Sequence, residues 1–454
     1  MKNFSLLLLL ALLIYSCKEK EVKPTVVTEK ISPDQPQWIR QGNIYEVNVR
    51  QYTPEGTFNA FAKHLDRLKE MGVEILWFMP IHPISKAERK GTLGSYYAVA
   101  DYREVNPEFG TMQDWKNLVN TAHEKGFKVI IDWVPNHTGA DHPWLKTHTH
   151  FYMKDSTGKP TWKFDWTDIR VLDFTNKEMQ DSMTASMKFW VSETNIDGFR
   201  CDHTEAYQAE FWKYTIKELN KVKRVFMLAE GQGSWIFDSG FDMDYGWQLF
   251  HTTRAVAKSE RNALSIDTVL MKLDSTYPKT AMQMYFTSNH DENSWNKADY
   301  ETMPGAIHAP FAVLSQTLYR GVPLIYSGQE EPVLRALSFF EKDSIRFDKL
   351  ARAGFYKTLL ALRKNNPALH PDASFKKINV GDQKALYAFL REKDGKKVFV
   401  ILNLSKKEQT IKVADKELHG NPYNVFMGTN ETLDDKQWKI EPWGYVVYEY
   451  PQTP

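Results

Sequence analysis

One pattern constrains this chain more than any other. From about residue 38, short apolar strands alternate with amphipathic helices, and the alternation continues for about eight rounds. The strand candidates are Ile44–Val49, Val73–Met79, Phe127–Val134, Ile196–Cys201, Val225–Ala229, Phe241–Tyr245, Ala281–Thr287 and Val322–Ser327. Helical spacing covers Phe58–Met71, Met112–Lys125, Glu178–Glu193 and Phe211–Val222, and Gly72 and Gly126 supply C-terminal stops to the first two. Such a series, at this length, predicts a (β/α)8 TIM barrel. An open doubly wound sheet would carry a Gly-rich phosphate turn after its first strand, and none follows Val49.

Three segments depart from the alternation. Residues 138–175, between the third strand and the next helix, are polar and aromatic (Trp144, Phe151, Tyr152, Trp162, Phe164, Trp166) and predict a short insertion subdomain. Past about residue 370 the helices cease, and Ala385–Leu390, Val398–Leu402, Gln409–Val413 and Tyr445–Tyr450 predict an all-β C-terminal sandwich. At the other end Lys2, an apolar run from Leu6 and the small Ser16 precede Cys17, in the manner of a lipoprotein signal. That run is shorter than the roughly 20 residues that span a bilayer. The expected organisation is a signal over 1–17 with Cys17 lipidated, a flexible tether over 18–37, a barrel over 38–370 and a sandwich over 371–454. If Cys17 is acylated, Cys201 is the one thiol left, and the exported protein has no intrachain disulfide.

The charge balance removes one class of partner. With 58 Lys and Arg against 57 Asp and Glu, the chain lacks the basic excess that nucleic-acid binding requires. The aromatic fraction of 13% supplies flat rings on which sugars stack, although a large core accounts for most of them. Catalytic side chains in such barrels stand at the C-terminal strand ends. There the third strand gives Asp132-Trp133-Val134-Pro135-Asn136-His137 and the fourth Gly198-Phe199-Arg200-Cys201-Asp202. The fifth gives Glu230 and the seventh Asn289-His290-Asp291. One strand-end carboxylate is usually a cap or a surface group; four clusters on one rim point to chemistry.

In this order the four clusters resemble the motifs of the α-amylase family, glycoside hydrolase family 13. Trp77-Phe78-Met79-Pro80-Ile81, Asn106 to Thr111 and Gly328-Gln329-Glu330 agree with its minor signatures. The resemblance implies Asp202 as the nucleophile that forms a covalent glycosyl-enzyme, Glu230 as general acid and then base, and Asp291 as the stabiliser of the transition state. It also implies sugar contacts from Tyr97, His137 and His290, with Arg200 binding beside Asp202. A retaining glycosidase needs one ionised carboxylate below the anomeric carbon and one protonated carboxyl beside the leaving oxygen. Arg200 and Asp202 are two residues apart on a strand and so share a face. Glu230 is expected among carboxylates that favour its protonated form.

Several positions depart from the family pattern. Ala98 follows Tyr97 where an Asp is common, and His203-Thr204-Glu205 follow the nucleophile in place of small residues and a Lys-His pair. Thr53-Pro54-Glu55-Gly56-Thr57 lacks the Asp-rich calcium loop of some members. A second calcium site would use Asn136 with Asp141, Asp155, Asp165 or Asp168. The implied activity is hydrolysis of α-1,4-glucosidic bonds in starch or maltooligosaccharides. Neopullulanase or cyclomaltodextrinase action, transglycosylation, and a non-catalytic glucan-binding lipoprotein are the alternatives. The implied location is outside the inner membrane, lipid-anchored, with the outer membrane as the expected site.

Overall fold

The computed structural model describes residues 36–450. Cys17 and its signal lie outside them. Ten strands precede residue 330: β1 (Ile44–Val47), β2 (Ile75–Phe78), β3 (Lys128–Trp133), β4 (His137–Gly139), β5 (Ile169–Val171), β6 (Gly198–Cys201), β7 (Phe226–Ala229), β8 (Met243–Tyr245), β9 (Met282–Tyr285) and β10 (Gly321–Tyr326). All but β4 and β5 pair in parallel and close a barrel in the order β1-β10-β9-β8-β7-β6-β3-β2. The strands are buried on both faces, which is why they read as unbroken apolar runs.

Parity along each strand divides two cores. Ile44, Ile75, Trp77, Ile130, Phe226, Leu228, Met243 and Met284 fill the barrel interior. Tyr45, Val47, Leu76, Phe78, Ile131, Phe199 and Met227 pack outward against the helices. Capping fixes where helices begin. Thr111 and Asp114 close a capping box on Met112–Glu124, and Asn176 caps Lys177–Thr194. The helix expected over Phe58–Met71 is instead two, Phe58–Ala62 and Leu65–Met71, broken at Lys63-His64. The His64 ring packs edge-on against Tyr52 at 5.1 Å and tilted against Phe347 at 5.6 Å, so tertiary contacts override the helical spacing.

In the insertion, β4 and β5 form a small antiparallel sheet whose register opposes His137 to Val171. This ties the end of the insertion to the residue that begins it. Beyond the barrel come β11 (Ser374–Ile378), β12 (Leu386–Lys393), β13 (Lys396–Asn403), β14 (Gln409–Ile411), β15 (Tyr423–Asn424), β16 (Thr429–Asn430), β17 (Trp438–Ile440) and β18 (Tyr445–Tyr450). They make a six-stranded antiparallel sheet, β11-β12-β13-β18-β15-β16, and a β14-β17 pair. Leu386, Ala388, Phe399 and Ile401 meet Ile411 and Ile440 between the two sheets. The other face of the large sheet, Tyr387, Phe389, Val400 and Val447, packs on Phe311, Leu314 and Leu359 of two barrel helices.

Candidate active site

Strand parity also aims the polar side chains. Glu46 on β1, Asp132 on β3 and Arg200 on β6 occupy inward positions, and Asp202 and Glu230 continue the inward parity one step past β6 and β7. Gly198 opens β6 because there is no room for a side chain: an added Cβ would stand 2.1 Å from the carbonyl oxygen of Phe226.

Arg200 is the hub. Its Nη1 donates to Asp132 Oδ1 at 2.9 Å, to Asp132 Oδ2 at 3.2 Å and to Asp202 Oδ1 at 2.9 Å, and its Nε donates to the Tyr245 hydroxyl at 2.9 Å. Its Nη2 lies 2.9 Å from Glu230 Oε2, an ion pair without the alignment of a hydrogen bond. One fully buried guanidinium thus touches three carboxylates. Burial opposes its charge, but Asp132 and Glu230 outweigh that and keep it firmly protonated. Burial likewise pushes the Asp132 carboxyl above the ordinary range, against the pull of Arg200. The environment of Glu230 differs from the one expected: its Oε2 faces Arg200 and accepts the His203 N–H at 2.9 Å. The Thr204 N–H and hydroxyl both donate to the Glu230 carbonyl, at 2.8 and 2.9 Å, lacing the ends of β6 and β7 together.

A second chain of bonds runs through His290. Asn289 caps the helix His290–Ser294. His290 Nδ1 meets Glu46, its Nε2 lies 2.7 Å from the Tyr97 hydroxyl, and that hydroxyl donates to Asp132 Oδ2 at 3.2 Å. Asp291 Oδ2 stands 3.4 Å from His290 Nε2. Burial lowers the pKa of this imidazole, but the charges of Asp291 and Glu46 outweigh it and lift it to about 9. His137, by contrast, is pulled down by burial to about 4 and is neutral, with Nε2 at 3.1 Å from the Tyr97 carbonyl.

Above these groups opens a cavity of about 640 Å3, lined by Tyr97, His137, Asp202, Glu230 and Asp291. Trp166 walls it on the insertion side, and Trp295 and Phe339 wall it as well. Two larger surface hollows, beside Trp144 and beside Arg335, contain none of these carboxylates. The three carboxylates, Tyr97 and His137 therefore meet as the sequence suggests. Arg200 and His290 do not line the cavity, and their nitrogens face protein partners. Glu46 and Tyr245, buried partners of His290 and Arg200, were missed. The available signal was a carboxylate at an inward position of an apolar strand.

The calcium donor set is not gathered. Asn136 Nδ2 donates to the carbonyls of Asp202 at 3.2 Å and His203 at 2.6 Å, while its Oδ1 accepts from Gln208 and from Tyr207. Asp141 caps the amides of Lys86 and Ala87, and Asp155 accepts from Thr157 and Lys159 in its own turn. Among the described residues no three His, Cys, Asp or Glu side chains converge as a metal requires. Asn136, Asp141 and Asp155 are each engaged by protein partners, and Asn136 fastens the loop that follows Asp202.

Comparison with known proteins decides the kinship. Residues 31–337 match the family model for the α-amylase catalytic domain. The chain belongs to the α-amylase family. Residues 386–447 match the model for the C-terminal domain of the α-amylase SusG. The crystal structure of an α-amylase from Lactobacillus plantarum superposes with a TM-score of 0.82 at 28% identity, covering 91% of this chain and 99% of that one. α-Amylase MalA of Haloarcula japonica is 26% identical over 400 residues, 83% of this chain, which spans 57% of that relative's length. Neopullulanase 2 of Thermoactinomyces vulgaris is 28% identical over 472 residues, 89% of this chain and 76% of its own.

Proposed function

We propose that the chain is a retaining glycoside hydrolase that cleaves α-1,4-glucosidic bonds of starch or maltooligosaccharides. The observation that carries this reading is the single buried guanidinium that holds Asp202 and Glu230 at the floor of one cavity, with Asp291 beside them. Asp202, held by Arg200 Nη1 at 2.9 Å, attacks the anomeric carbon as the bond to the leaving oxygen breaks. Oε2 of Glu230 is tied by the His203 N–H, so Oε1 carries the proton that passes to the leaving oxygen. Water then gives its proton to Glu230, attacks the anomeric carbon and frees Asp202, so configuration is retained after two inversions. Asp291 stabilises the oxocarbenium-like charge through the sugar hydroxyls. His290 and Tyr97 hold the side of the site built on β1 and β3.

The similarity to a neopullulanase supports a second reading, in which the same site opens pullulan or cyclodextrins. A panel of amylose, pullulan and cyclodextrins, with products sized by chromatography, separates the two. Loss of all turnover in Asp202→Asn is expected. Full turnover in that variant would end the proposal.

Export and anchoring through an acylated Cys17 belong to the same proposal and rest on the sequence of residues 1–17. Among the described residues no helix is long and apolar enough to cross a membrane. Cys17→Ala should move the protein from the membrane fraction to the soluble one or leave an unprocessed precursor, and a wild-type protein free of lipid would refute the anchor.

A further inference from the structure

The insertion carries Trp162, Phe164 and Trp166 at alternate positions, and the functional reading above uses only the last as a wall. The aromatic residues of this segment divide sharply. Phe151 and Tyr152 are buried in the main core, and Trp144 packs against Tyr102, His142 and Phe151. Phe164 is 71% exposed, and its ring meets that of Trp166 edge-on at 4.9 Å. Its backbone is left-handed, with φ +53°, a conformation that bulky side chains rarely adopt. The turn is closed by the Trp166 N–H on the Lys163 carbonyl and the Thr167 N–H on the Asp165 carbonyl. A strained backbone thus holds a large apolar ring out in water, an arrangement expected where a ligand covers it.

The exposed ring is continuous with the catalytic cavity. Trp166 lines that cavity, lies 6.1 Å from the His137 ring and is flanked by the exposed carboxylate of Asp165, which also lines it. Trp162 is placed differently from Phe164. It is 45% exposed on the same loop, but the Arg170 guanidinium lies over its ring at 5.4 Å.

We propose that Phe164 and Trp166 form a platform that binds the continuation of an α-glucan chain as it leaves the catalytic cavity, with ring faces taking the apolar faces of glucose units and Asp165 taking hydroxyls. The platform rests on the hydrolase reading for the identity of the chain. It makes the enzyme prefer polymers over substrates short enough to fit within the cavity.

The test compares kcat/KM on soluble amylose with kcat/KM on a nitrophenyl maltotrioside. Phe164→Ala and Phe164→Gly should both lower the amylose-to-maltotrioside ratio roughly three- to tenfold, the span of one lost aromatic contact. Glycine removes the strain as well as the ring, so a loss in Phe164→Gly belongs to the ring. Phe164→Trp should restore the ratio, and Trp162→Ala should leave it unchanged. An unchanged ratio in Phe164→Gly, or an equal fall in Trp162→Ala, overturns the platform and leaves the hydrolase reading intact. If no α-glucan is cleaved at all, the hydrolase reading fails separately, and electrophoresis in amylose-containing gels still tests the platform. Retardation of the wild type that is lost in Phe164→Gly supports it, and absence of retardation in the wild type refutes it.

Discussion

Arg200→Lys is the substitution that most sharply tests the wiring of the floor. Arg200 gives separate nitrogens to Asp132 and Asp202 on one side, Glu230 on another and Tyr245 on a third. A lysine ammonium is one point on a flexible stem and cannot match that fork. It can serve the Asp132–Asp202 side or Glu230, but not both. Each lost hydrogen bond to a charged group is worth about 1.5–3 kcal/mol, which in a transition state is roughly 10- to 100-fold in rate. Uncompensated charge in a site this buried costs about 3–5 kcal/mol of fold stability as well. The assay is kcat on a nitrophenyl maltotrioside, with urea unfolding of the same samples to show that the fold persists at the assay temperature. kcat is expected to fall at least tenfold, with KM changed much less, because the guanidinium faces Asp202 and Glu230 and does not line the cavity. Turnover within a factor of two of wild type, in a folded variant, would refute the hub.

Other expectations follow from neighbouring residues. His290 has its pKa lifted from 6.5 to about 9, so its ion pairing stabilises the fold fully below about pH 6.5 and that contribution is lost as pH rises through 9, with a ceiling of about 3 kcal/mol; in Glu46→Gln, urea unfolding at pH 6.0 and 9.5 should differ by less than in wild type, and an identical difference would disprove the coupling. Gly198→Ala should cost about 1–3 kcal/mol of stability and lower kcat, because the new methyl meets the Phe226 backbone and parts the strands that carry Asp202 and Glu230; wild-type melting would contradict this. Dialysis against EDTA should leave melting temperature and kcat unchanged, given that the Asn136 amide is taken by Gln208, Tyr207 and two carbonyls; a fall restored by calcium alone would overturn that reading.

The barrel was legible because its strands are buried on both faces and its early helices end at Gly72 and Gly126, signals that are local in sequence. Asp202 and Glu230 were legible because each sits one step past a strand, where parity fixes its direction, and Asp291 because it follows His290 in the short motif after β9. Depth was not legible. The same parity that aims Arg200 inward does not tell whether its guanidinium lies under or within the cavity, because that depends on Asp132 and Tyr245 from other strands. Glu46 escaped notice because its partner, His290, is 244 positions away. Asn136 reads as a metal ligand when only its motif is seen, since the motif supplies donor atoms and not the groups that already occupy them. The break at His64 was hidden for the same reason: one of the rings it packs against, Phe347, comes from beyond the eighth barrel strand.

The central claim is that Asp202 acts as a nucleophile and Glu230 as acid and base. The most direct measurement is the anomeric configuration of the first products from maltooligosaccharides, followed by proton NMR before mutarotation. Two inversions at one carbon predict α-configured reducing ends at the earliest time points. Early accumulation of the β-anomer would mean a single displacement by water, and would contradict both role assignments.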